Sequence, residues 1–384
     1  MADYNKYKDF FDSYGGDHEY DAEAEYRRRR LAAKKKALKR KRRFIRCVTA
    51  LFLAVIVAVA AVVTVTVKKH SKSDNASSDA YTLHEITSSG QETGQQSEPQ
   101  ITAPVSTSAT VKLGSQIDSQ YAILVDCSNN NVLAEKSPDE RIYPASMTKV
   151  MTLLVAAENV DSIDGRFTMT NEIIDPLYKE GASRAGFCAG ENVRIADMFY
   201  GTVLESGAEA AVGLAVYVSG SEEKFVELMN QKAAQLGLKS TLFTNVTGLH
   251  DKNLYTTCRE MAIIMRAALE NDFCKTVLST EYYTVAANDF HDELKFHSTM
   301  LSRMYGTEPG VATIKGGKTG FTANSGNCLV SYAETDDGRE IICVTAVGGG
   351  RYKPIFDCIN MYKDYTHPSQ TASASSGTAS ASEK

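Results

Sequence analysis

Apolar and polar positions divide the chain into distinct stretches. Residues 47–67, CVTALFLAVIVAVAAVVTVTV, carry no charge and no Gly or Pro. A helix of that length spans about 30 Å, the thickness of bilayer hydrocarbon. Residues 70–112 are rich in Ser, Thr, Gln and Gly with almost no large apolar side chain, the composition of a flexible linker. From 113 to 367 apolar positions recur with the periods of folded elements. YAILVD and NVLAEK flank CSNNN and predict a hairpin. Residues 146–159 predict a buried helix. ENVRIADMFYGTVLE, GAEAAVGLAVYVSG, EEKFVELMNQKAAQLG and TTCREMAIIMRAALE each place apolar residues three and four apart and predict helices. GNCLVSYAET and REIICVTAVGG, joined by DDG, predict paired strands, followed by a last helix over about 353–364. Residues 368–384, PSQTASASSGTASASEK, read as a disordered tail.

Strands first, helices in the middle and strands last imply an α+β fold, an antiparallel sheet flanked by helices with a helical subdomain. One transmembrane helix would precede it. The domain layout is then a basic cytoplasmic tail over 1–46, a transmembrane helix over 47–67, a linker over 68–112, a folded domain over 113–367 and a tail over 368–384.

Charge refines this picture. The net charge of −5 conceals a basic block, residues 27–46, with 13 Lys or Arg. Taken alone such a block suits nucleic acid. Against an apolar span it reads as a topology signal that also touches anionic lipid headgroups, so no nucleic-acid partner is expected. The positive-inside rule leaves the N-terminus cytoplasmic and residues after 68 outside. A cleaved signal peptide is the rival reading; its apolar core would be shorter and its leader would not run to 46 residues.

The cysteines and histidines exclude several chemistries. The eight cysteines form no C-x-x-C and no paired Cys/His spacing, which argues against zinc. Beyond Cys47 seven remain, an odd number that does not suit a fully paired disulfide framework. Cys328 and Cys343 lie in apolar strand-like runs, as small core residues do. No histidine pair has ligand spacing, and no G-x-S-x-G supports a Ser-His-Asp hydrolase. VGGGR at 347–351 lacks the G-K-[ST] ending of a phosphate loop and reads as a turn.

The chemistry that remains centres on PASMTKVMT, residues 144–152. Ser146 and Lys149 stand three apart, so on a helix they share a face. To act as a base Lys149 must be neutral, and at the ordinary lysine value only about one molecule in 2,500 is neutral at pH 7. An apolar setting and a neighbouring cation depress that value. Met147, Val150 and Met151 help supply the apolar setting. Two further motifs accompany the pair. In IKGGKTGFTANSG, Lys318-Thr319-Gly320 opens a strand, and Gly316, Gly317 and Gly320 permit close approach of a ligand to the backbone. In LESGAEAA, Ser206 begins a helix.

S-x-x-K, a serine-led S-x-N position and K-T-G in this order resemble the penicillin-recognising serine acyltransferases. The connecting runs are most similar to the D-alanyl-D-alanine carboxypeptidases, the low-molecular-mass penicillin-binding proteins. The resemblance covers most of 113–367. It implies that Ser146 is acylated, that Lys149 takes its proton and that Ser206 relays a proton to the leaving amine. It implies that Lys318, Thr319 and Gly320 bind the terminal carboxylate, with Arg303 a further candidate. Lys318 would also be the second cation that keeps Lys149 neutral. The N–H groups of Ser146 and Phe321 would form the oxyanion hole. The implied partners are the D-Ala-D-Ala stem peptide of peptidoglycan, β-lactams as covalent inhibitors, and membrane lipid through the N-terminal anchor. No metal or organic cofactor is implied. Two departures stand out. Ala208 occupies the Asn position of the S-x-N motif. Many relatives also add a C-terminal β-rich module with an amphipathic anchor, whose role the N-terminal span is expected to take. The rivals are a β-lactamase of the same fold and a peptidoglycan-binding scaffold without catalysis.

Overall fold

Alternating apolar positions pair as their period requires. β2 (Tyr121–Asp126) and β3 (Asn131–Lys136) form an antiparallel hairpin that turns through Asn130, whose φ is +59°. The structure is a computed structural model, and it describes residues 101–304, 309–310 and 312–366. The tail over 1–46, the apolar span over 47–67, the linker up to 100 and the tail over 368–384 lie outside the described residues. Among those described, no helix is long and apolar enough to cross a membrane.

The first strand corrects two expectations. Residues 105–112, read above as linker, form β1 (Val105–Lys112), so the folded unit begins before residue 113. β1 pairs in parallel with β3, and the sheet is therefore mixed rather than purely antiparallel. Its composition misled because it is an edge strand with almost every side chain exposed. Hydrogen bonds hold it instead of apolar burial: Thr110 Oγ1 donates to the Val132 carbonyl at 2.7 Å and Ser106 Oγ to Glu135 at 2.7 Å.

A single 3₁₀ turn over Ala145–Met147 leads into α1 (Thr148–Asn159), which is buried along its first nine residues. Around it pack α3 (Ile195–Val203), α4 (Ala208–Ser219), α5 (Glu222–Gln235), α6 (Cys258–Glu270) and α7 (Asp272–Ser279). α2 (Asn171–Lys179) lies against α4. Two short antiparallel strand pairs fasten the helices: β4 (Arg166–Thr168) with β5 (Asn192–Arg194), and β6 (Tyr282–Val285) with β7 (Leu294–His297). After α8 (Leu301–Met304) the chain returns to the sheet as β8 (Ala312–Thr322), β9 (Gly326–Thr335) and β10 (Glu340–Gly348), and it closes with α9 (Lys353–Tyr365).

The sheet order is β1-β3-β2-β10-β9-β8, which leaves β8 on an edge. One face buries Leu124, Leu329, Ile341 and Cys343 beneath Ile355, Cys358, Met361 and Tyr362 of α9. Successive strand residues point to opposite faces. The alternate set, Ile123, Val125, Ile342 and Val344, is equally buried, on the side that α6 covers. Each such side chain contributes about 1.5–3 kcal/mol when fully buried. The seven described cysteines are free thiols. Burial pushes the Cys328 thiol up to about 11, so it packs as an inert small residue.

Candidate active site

The cleft begins at Ser146, on the 3₁₀ turn. Ala145 before it has φ +47°, a left-handed conformation that costs an L-residue about 1–2 kcal/mol. Two glycines make room for this turn. A Cβ on Gly248 would stand 1.8 Å from the Ala145 carbonyl oxygen. One on Gly320 would stand 3.1 Å from the Ser146 nitrogen. β8 therefore runs directly past the backbone of Ser146.

Lys149 Nζ lies 3.2 Å from Ser146 Oγ and donates to the Thr247 carbonyl at 2.6 Å. The side chain is buried, 2% exposed, and none of the described ion pairs includes it. Burial pushes its pKa down to about 7, against the opposing charge of Glu209. The amine is thus free of its proton in a substantial fraction of molecules at neutral pH. Burial, the apolar setting expected above, is the leading cause, and the second cation expected beside it is not among the causes. A carbonyl only accepts, so one N–H of the neutral amine points at Thr247, and the lone pair remains for the Ser146 hydroxyl proton.

Ser206 sits in the turn before α4, which begins at Ala208 rather than at Ser206. Its φ of +57° is again left-handed. Its Oγ is buried with no hydrogen-bond partner among the described residues. The turn is moored on both sides. Gly207 N donates to the Gly201 carbonyl at 2.9 Å and Ala208 N to that of Ser183 at 2.8 Å. Thr299 N donates to the Leu204 carbonyl at 3.2 Å, and Thr299 Oγ1 lies 3.2 Å from Thr319 Oγ1. The segment after β7 thereby ties the Ser206 turn to the K-T-G strand. Ala208, 1% exposed, offers no polar atom where the motif has an amide.

Lys318 and Thr319 are buried at the edge of the sheet, and Lys318 Nζ donates to the Thr319 carbonyl at 3.0 Å. Burial first, then repulsion from Lys149 and Arg303, hold the Lys318 ammonium well below the usual lysine range, and Glu205 opposes this. Arg303 is mostly buried; burial and Arg351 push its guanidinium down to about 10. Phe321 follows and is 64% exposed. K-T-G lies within β8 rather than opening it, because the strand already starts at Ala312. Gly316 and Gly317 do not serve a ligand. A Cβ there would meet the Leu278 and Val330 carbonyl oxygens at 2.3 and 2.2 Å, so these glycines admit the protein's own neighbouring backbone. Taken together, a serine, an amine with a usable lone pair, a second hydroxyl and a second buried lysine stand on segments that touch one another, the equipment of acyl transfer.

A family model described as D-alanyl-D-alanine carboxypeptidase, Peptidase S11, matches residues 105–348. The chain belongs to this family. The match starts at Val105, the first residue of β1. Similar curated proteins include the D-alanyl-D-alanine carboxypeptidases DacF of Bacillus subtilis, 33% identical over 59% of this chain and 57% of that protein, and DacC of Escherichia coli, 32% identical over 59% and 56%. The chain thus matches little more than half the length of these relatives. Among solved structures, the Streptomyces K15 DD-transpeptidase is 25% identical with a TM-score of 0.58, covering 64% of this chain and 97% of that one. Penicillin binding protein 5 of Haemophilus influenzae is 29% identical with a TM-score of 0.57, covering 64% and 70%.

Sequence reasoning missed Asn245, Thr247 and Glu205. Asn245 Oδ1 accepts from Gly248 N at 2.7 Å, Thr247 Oγ1 at 3.1 Å and Thr247 N at 3.2 Å. It fixes the loop that aims the Thr247 carbonyl at Lys149. Asn three residues before Gly was the available signal, since such a side chain caps its own following N–H groups.

Proposed function

We propose that this chain is a serine D,D-carboxypeptidase that removes the terminal D-alanine from peptidoglycan stem peptides. The observation that carries the reading is Lys149 Nζ lying between the Thr247 carbonyl at 2.6 Å and Ser146 Oγ at 3.2 Å. In this mechanism Ser146 Oγ attacks the carbonyl carbon joining the last two residues, and its proton passes to Lys149 Nζ. The Ser146 and Phe321 N–H groups hold the developing oxyanion. Lys318, Thr319 and Arg303 hold the substrate's terminal carboxylate, with Gly320 letting the strand approach. The C–N bond breaks as the proton held by Lys149 is relayed through Ser206 to the leaving amine, and D-alanine departs. Water then cleaves the Ser146 ester. A β-lactam would acylate the same oxygen.

The apolar span over 47–67 would hold this domain outside the cytoplasmic membrane with the basic N-terminus inside. Release of D-alanine from a D-Ala-D-Ala peptide by the 384-residue chain tests the activity. Release by the native chain that disappears in Ser146→Ala supports it. Equal background rates would favour the second reading, a peptidoglycan-binding scaffold, to which the apolar Ala208 points.

A further inference from the structure

Two segments hold the Ser206 turn. From the first, the Ser183 carbonyl accepts from Ala208 N at 2.8 Å, and Gly186 N and Phe187 N donate to Glu209 Oε1 at 2.8 and 3.3 Å. From the second, His297 N donates to Glu205 Oε1 at 2.8 Å and Thr299 N to the Leu204 carbonyl at 3.2 Å. A few residues away along the chain, the same two segments meet in a buried pair. His291 Nε2 lies 2.7 Å from Glu191 Oε1, and the two side chains are only 2% and 3% exposed. Asn288 Nδ2 donates to the same oxygen at 2.9 Å, and Cys188 N donates to Glu191 Oε2 at 2.9 Å. Phe187 and Phe296, which lie along the two segments between the pair and the turn, meet edge to face with centroids 5.9 Å apart. The backbone of Glu191 is itself anchored, since Met169 N donates to its carbonyl at 2.9 Å.

The hydrogens of this pair follow from its partners. His291 Nδ1 lies 2.7 Å from the Asp292 carbonyl, which only accepts, so Nδ1 carries a hydrogen. Glu191 is met by Cys188 N, Asn288 Nδ2 and His291 Nε2. As a carboxylate it accepts from all three, with Nε2 also carrying a hydrogen and the ring an imidazolium. Without that proton a lone pair would face a carboxylate oxygen at 2.7 Å, in a site closed to water. The acidic side chains of the ring's own loop, Asp289, Asp292 and Glu293, are exposed and favour the same charged ring; across the contact the Cys188 thiol is half-buried. Resting on the serine-peptidase reading above, Ser206 must be held in place by its surroundings. Its φ is +57°, and its Oγ has no hydrogen-bond partner among the described residues. A strained turn of this kind persists only where its neighbours over-determine it. We propose that Glu191 and His291 are positioning residues: while they hold a proton in common, they clasp together the two segments that keep Ser206 in its turn.

Two measurements on the 384-residue chain test this. The first is the rate of acylation by a fluorescent penicillin. Glu191→Gln keeps the shape but has one acceptor oxygen for three donors, so in either orientation a donor is left facing an N–H group. Its acylation rate is expected to fall about tenfold. In a Ser206→Gly background there is no hydroxyl to place, and adding Glu191→Gln should change the rate less than about twofold. Asn288 Oδ1 accepts from Phe290 N at 2.7 Å and His291 N at 3.2 Å, so Asn288→Ala loosens the His291 loop. Should Glu191→Gln not fold, Asn288→Ala replaces it in both backgrounds, with a loss of at least about threefold expected where Ser206 is present. The second measurement is denaturant unfolding of the native and His291→Gln chains between pH 6 and 9. Gln at 291 offers a donor that does not titrate. A proton bound more tightly by the folded state stabilises the native chain fully below the ordinary histidine value, about 6.5, and that contribution is lost as pH rises. The folding equilibrium constant of His291→Gln relative to native should therefore climb above that pH by up to about tenfold per pH unit, the Lys149 titration being common to both chains. A folded Glu191→Gln protein acylated at the native rate overturns the proposal. So does a further tenfold loss on top of Ser206→Gly, or a relative stability of His291→Gln that is independent of pH. A native chain that takes no penicillin at any pH overturns the peptidase reading itself, whereas an acylated native chain with unresponsive variants overturns only the clasp.

Discussion

Lys149 Nζ and the carbonyl of Thr247 are 2.6 Å apart, closer than Lys149 is to Ser146. The base is therefore anchored by backbone, and its lone pair is directed by a group with no side-chain identity. Asn245 holds that carbonyl by accepting three hydrogen bonds within its own loop. Asn245→Ala leaves those donors unpaired, at about 1–3 kcal/mol. Acylation by penicillin is expected to slow at least about tenfold, as the direction of the lone pair is lost. An acylation rate within twofold of native would show that the loop does not orient the amine.

Lys149 should also burden the fold. Its folded pKa, about 7, lies below the ordinary value of 10.5. The unfolded state therefore binds the proton more tightly, and stability rises with pH across that window. The burden is complete below about pH 7 and fades as pH climbs towards 10.5. Lys149→Met removes it. The variant is expected to be more stable than the native chain by roughly 2–5 kcal/mol at pH 7, with the gap closing towards pH 10. Denaturant unfolding at several pH values measures this, and a gap independent of pH would count against a buried, proton-poor amine.

Gly248 and Gly320 touch the same turn with unequal room. A Cβ at 248 would sit 1.8 Å from backbone oxygen, at a φ of +78°, and nothing flexible can yield. Gly248→Ala is expected to cost about 3 kcal/mol or more. At 320 the nearest atoms are 3.0 to 3.1 Å away. Gly320→Ala should cost about 1 kcal/mol in stability but slow acylation at least tenfold, since the displaced neighbour is the Ser146 amide. Thermal unfolding and acylation rates on both variants separate the two effects.

Ser206 combines a left-handed φ with a buried hydroxyl that lacks a partner. Such features are retained at functional sites against stability. Ser206→Gly relieves both, so its stability is expected to rise by about 0.5–1 kcal/mol while acylation falls about a hundredfold. A loss of stability with unchanged acylation would assign the serine to the fold.

Much of the site was legible because its side chains carry their chemistry with them. Ser146 and Lys149 could be singled out only through the family resemblance that S-x-x-K, the Ser206 motif and K-T-G carry together, and the long helices by apolar period. β1 was not legible, because an exposed edge strand of Ser and Thr lacks the alternation that burial imposes. The β6–β7 pair, whose His297 holds Glu205, has only four residues in each strand, too few for a period to register. Thr247 acts through its carbonyl, which every residue possesses. Gly316 and Gly317 were misread because glycine marks close approach without saying what approaches.

Mass spectrometry of the penicillin-treated chain, followed by peptide mapping, bears most directly on the serine chemistry. One adduct on Ser146, absent from Ser146→Ala and accumulating more slowly below pH 7 as Lys149 gains its proton, is the expected result. An unmodified native chain, or an adduct that persists in Ser146→Ala, would contradict it.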